Sequence, residues 1–103
     1  MIIGSFYFKI TNNHNLIGEF TNNDPNECIR TENAQLIKSN SRLIGIYQST
    51  WFDNAVHLAD LEIMQKNNNN TYKLEWKEKG IITYQGEGFL MDNETLIGFY
   101  QSV

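Results

Sequence analysis

A chain of 103 residues, 41% hydrophobic and 13% aromatic, is long enough for one domain around a single modest core and too apolar to be disordered. Its net charge is −4, and Lys73, Lys77 and Lys79 are interleaved with Glu75 and Glu78, so no basic stripe exists to bind nucleic acid. The single cysteine, Cys28, excludes an intrachain disulfide and a cysteine-based metal cluster within one chain, and no apolar run approaches the roughly 20 residues that cross a bilayer as a helix.

The chain opens on Ile2-Ile3-Gly4-Ser5-Phe6, an alternating stretch with Lys9 late and no cationic start. This predicts a strand over 2–11 rather than a signal peptide, and a cytoplasmic protein. A turn at Asn12-Asn13, with a solvated His14, leads to a second strand over 15–22, Leu16-Ile17-Gly18-Glu19-Phe20-Thr21-Asn22. After the Asn23-Asp24-Pro25-Asn26 turn comes an irregular strand over 27–37, in which Cys28 is expected as a small buried or half-buried side chain. The strand over 42–50 repeats the phrase of the second as Leu43-Ile44-Gly45-Ile46-Tyr47-Gln48-Ser49. Trp51 and Phe52 then fall at a tip, where two large aromatics cap the core, line a ligand entrance or bind a partner. The stretch 55–66 could be helix or strand by periodicity and is assigned as strand because its neighbours are. Asn67–Asn70 read as a solvated loop before strands over 71–78, 80–91 and 95–103. The last carries a third copy, Leu96-Ile97-Gly98-Phe99-Tyr100-Gln101-Ser102.

Parity fixes the faces. Glu19 marks the solvent side of its strand, so Leu16, Gly18 and Phe20 face inward, as do Tyr72, Leu74 and Trp76 opposite to Lys73, Glu75 and Lys77. The same rule puts Ile82, Tyr84, Gly86, Gly88 and Leu90 inside, together with Ala55, His57, Ala59, Leu61 and Ile63. Inward glycines beside large aromatics point to a sheet that coils tightly and packs small against large. The expectation is an all-β single domain over 1–103: a small antiparallel up-and-down meander barrel of about eight strands, first strand pairing with last. An open, strongly curled sheet is the alternative.

The phrases Gly18-Glu19-Phe20, Gly45-Ile46-Tyr47 and Gly98-Phe99-Tyr100 resemble the calycin type of barrel shared by lipocalins, fatty-acid-binding proteins and avidins. The run from Tyr72 through Trp76 and Tyr84-Gln85-Gly86-Glu87-Gly88 to Tyr100 is also similar to small bacterial β-proteins of unassigned function. The lipocalin Gly-x-Trp motif, the fatty-acid-binding arginine pair and the avidin tryptophan set are missing, so the resemblance implies a shape and carries over no ligand.

The chemistry-bearing residues are then the inward polar aromatics. Tyr47, His57, Trp76, Tyr84 and Tyr100 would give an apolar interior a few polar handles for a small, largely apolar molecule bound without catalysis, and Trp51 at the tip joins them as a ligand-binding residue. His57 either meets a ligand, acts as acid or base with a tyrosine in a barrel enzyme, or is a core histidine satisfied by a tyrosine hydroxyl. No metal-ligand set, phosphate loop or nucleophile elbow is readable, and no cofactor is expected. Outward Phe89, Met91, Ile97 and Phe99 on adjacent strands predict a homodimer surface; a filled barrel acting as an interaction module is the alternative function.

Overall fold

The structure is a computed structural model that describes residues 1–67 and 69–103. Eight strands run in chain order: β1 (Ile3–Ile10), β2 (Leu16–Asn22), β3 (Arg30–Ser39), β4 (Gly45–Phe52), β5 (Val56–Gln65), β6 (Thr71–Glu78), β7 (Ile81–Met91) and β8 (Thr95–Ser102). Each pairs antiparallel with the next, and β8 pairs with β1 through Gly4↔Tyr100 and Phe6↔Gly98, so the meander closes on itself. Closure leaves none of the eight described strands with an unpaired edge. The stretch 56–64 is strand, as its neighbours required.

Glycines face aromatics across the strands. Gly98 lies opposite Phe6, Gly18 opposite Phe8, Gly88 opposite Tyr72, and Tyr100 is flanked by Gly4 and Gly86. At Gly98 a Cβ would stand 2.0 Å from the Glu87 carbonyl oxygen and 2.8 Å from the Phe6 ring, so only glycine lets β7 and β1 close in on β8.

The turns follow their residues. Lys79 and Gly80, both at positive φ, join β6 to β7 in two residues, and Asp92-Asn93, also at positive φ, begin the turn into β8. Antiparallel order gathers the 23–29, 53–55 and 79–80 connections and both chain termini at one end of the barrel, and the 11–15, 40–44 and 92–94 connections, with the end of β5 and the start of β6, at the other. The latter end is filled: Phe8, Leu16, Leu43, Tyr47, Leu61, Ile63, Leu74 and Leu96 are all sealed from solvent. Arg42 straps it from outside by donating to the Asn93 carbonyl.

Several sequence expectations change here. The third strand starts at Arg30 and runs to Ser39, with a bulge that leaves Ile37 unpaired and exposed, so Cys28 falls in the preceding loop and is exposed rather than half-buried. Trp51 and Phe52 belong to β4 instead of a tip, and alternation sends Trp51 inward and Phe52 to solvent. A second bulge, at Thr83, pairs Ile82 with the outward Lys77 and so removes Ile82 from the inner face. Ala55 is an exposed turn residue. Of the asparagine run, Asn67, Asn69 and Asn70 are exposed, and Asn68 lies outside the described residues.

Candidate functional site: an aromatic cavity over a buried carboxylate

At the open end, alternation places large inward side chains near the ends of their strands: Phe20 on β2, Trp51 on β4, Trp76 on β6, Tyr84 on β7 and Tyr100 on β8. Their rings meet edge to face or tilted: Phe20 with Trp51 at 6.4 Å, Trp51 with Tyr84 at 6.4 Å, Tyr84 with Tyr100 at 5.8 Å, and Tyr100 with Trp76 at 6.1 Å between centroids. Between them lies a half-open cavity, lined also by Phe6, Asn22, Glu32 and Asp53. About 30 Å³ of it admits the centre of a water-sized molecule. That is more than one water needs and far less than a lipid chain would occupy. The barrel interior is therefore packed at one end and open only at the other.

Glu32, on β3, forms the polar floor. Its register, Gly18↔Glu32↔Trp51, puts it on the inner face, where it is 5% exposed. Oε2 accepts from Ser49 Oγ at 2.5 Å and from Trp76 Nε1 at 2.7 Å. Burial pushes this carboxyl up to about 7, against the two donors, which favour its charged form. Among the described residues no donor reaches Oε1. Among the described residues no buried side-chain oxygen or nitrogen is both sealed and unpartnered, so Oε1 opens onto the cavity.

The rim is acidic with paired cations. Arg30 binds Glu27, lies 3.5 Å from Asp53 Oδ1, and donates to the Phe52 carbonyl, tying the 23–29 and 53–55 connections together. Asn22 Nδ2 bridges Glu27 Oε2 and the Tyr100 hydroxyl. His57 stacks on Trp51 at 5.2 Å, and its Nδ1 lies 3.0 Å from Glu78 Oε1. Burial would raise Glu78, but the Thr83 hydroxyl and His57 outweigh it and hold the carboxyl below its ordinary value. Burial pushes the hydroxyls of Tyr100 and Tyr47 up to about 12, so both stay neutral.

Trp51, Trp76, Tyr84 and Tyr100 thus stand together around the cavity. His57 stands behind Trp51 rather than against the cavity, and its polar partner is Glu78, not a tyrosine. Tyr47 does not join them: it is 1% exposed in the filled half, where its hydroxyl donates to the Leu43 carbonyl at 2.7 Å. Glu32 is the residue that the sequence reading missed. Its signal was parity with Ala34 and Leu36, obscured by the irregular pattern before it.

No family model, no curated protein and no solved structure matches this chain.

Proposed function

We propose that this protein is a small-molecule-binding barrel of calycin-like shape that takes a ligand, or the head of one, in the open-end cavity and performs no reaction on it. The observation that carries this is the joining of aromatic walls to one buried carboxylate with an uncommitted oxygen. Concave apolar sites with few convergent polar groups are the usual form of ligand pockets. The filled end limits the ligand to a small molecule or to a small group inserted from outside. A small-compound library screened by NMR tests the reading, because both tryptophans stand at the cavity and each supplies one indole N–H signal. Compounds that bind there move those two signals. A library in which none does so removes the reading.

A second reading rests on a separate surface. Outside the barrel, Phe89, Ile97 and Tyr7 form a row across β7, β8 and β1, with Phe99 beside them; Phe89 is 52% and Phe99 61% exposed. We infer that this face, extended by Met91, meets its counterpart on a second copy.

A further inference from the structure

We propose that the open-end cavity selects a small protonated alkylamine, seated against the aromatic faces with an N–H donated to the free Oε1 of Glu32. This deepens the binding reading above and rests on it.

Three observations favour a cation. First, the floor is a carboxylate with one oxygen uncommitted, so a neutral apolar ligand would cover that oxygen without a partner, which is unfavourable. Second, the walls are the faces and edges of Trp51, Trp76, Tyr84, Tyr100 and Phe20, and aromatic faces attract ammonium groups, most strongly once water is excluded. Third, the rim repels anions. Glu27, Asp53 and Glu78 stand around it with Glu32 below, against Arg30, which is paired to Glu27 and Asp53, and His57, which faces Glu78. Lys79 and the amino terminus of Met1 lie at the same end of the barrel, on the exposed turn and chain start. A metal ion is a poorer occupant: among the described residues no three histidine, cysteine or acidic side chains converge. An amine alone needs one carboxylate oxygen and apolar walls.

The binding must then depend on the charge of Glu32. Of the titratable groups around it, Tyr84 and Tyr100 stay neutral through burial and Arg30 stays charged. Asp53, Glu27, Glu78 and His57 complete the set, and a Glu32→Gln comparison separates their effects from that of Glu32.

The test titrates the whole protein with trimethylammonium, with tert-butanol as a neutral molecule of the same shape and pivalate as the anion, reading tryptophan emission and the indole N–H signals. The expected result is that trimethylammonium alone moves the Trp76 indole at about pH 8, and binds at least about tenfold more weakly at about pH 5.5 or in Glu32→Gln. If tert-butanol binds as well as trimethylammonium, or if Glu32→Gln and low pH leave the amine's affinity unchanged, the cation assignment fails while the binding reading survives. If no probe moves either indole, the cation assignment falls, and the library screen alone decides the binding reading. Should Glu32→Gln not fold, the pH profile of the unaltered protein decides.

Discussion

The indole nitrogen of Trp76, on β6, donates across the barrel lumen to the carboxylate of Glu32, on β3, at 2.7 Å. The two strands do not pair with each other, so this bond cross-braces the open end where the aromatic core gives way to the cavity, while Ser49 donates to the same oxygen from the neighbouring β4. A buried carboxylate is costly unless its oxygens are satisfied, and half of this one is left to whatever occupies the cavity.

Stability should therefore fall as pH rises from about 4.5, the ordinary glutamate value, to about 7, where folded Glu32 titrates. In that window the folded protein keeps a proton that the unfolded chain has released, and the full loss is on the order of 3 kcal/mol. Glu78 acts oppositely: its folded value is lowered, so its contribution is present above the unfolded value and fades in acid. Urea denaturation across this range should show the neutral-side decline in the unaltered protein and its absence in Glu32→Gln. A flat profile in the unaltered protein would contradict the buried-carboxylate account.

Trp76→Phe removes a donor that favours the charged form of Glu32 as well as part of the core. It should lower stability by about 2 kcal/mol and raise the Glu32 midpoint further. An unchanged midpoint would mean that the indole does not hold the carboxylate.

Gly98→Ala should destabilise by about 3 kcal/mol, because the added methyl meets the Glu87 carbonyl and the Phe6 ring. Gly80→Ala meets nothing within 4 Å and should cost only the roughly 1–2 kcal/mol of its left-handed backbone. Equal effects would undo the argument that inner glycines permit the close approach of strands.

Phe99→Lys should convert a dimer to a monomer in light scattering, with little effect on folding, since the side chain is exposed on the outer face. A monomer before substitution would contradict the self-association reading.

Much of this fold was legible because one rule ran almost unbroken. Alternation placed Phe6, Phe20, Leu61, Leu74, Trp76 and Tyr100 on the inner face, and the short Asn-, Asp- and Gly-bearing links left no route but a meander. It faltered where a bulge shifted the count, as at Thr83, which turned Ile82 away from the interior. Hydropathy misplaced the tip as well. The strand partners of Trp51 and Phe52, His57 and Val56, extend β4 through both aromatics, and neither residue alone signals that pairing. Glu32 was hidden for a different reason: an irregular pattern obscured its parity, and the sequence does not show that Trp76 and Ser49 converge to satisfy a carboxylate inside.

The most direct test is a ¹³C NMR titration of the Glu32 side-chain carboxyl in the ligand-free protein. The account predicts a midpoint of about 7, with the Trp76 indole signal moving in step. A midpoint near 4.5 with an unmoved indole would place Glu32 in water and remove the polar floor on which the site depends.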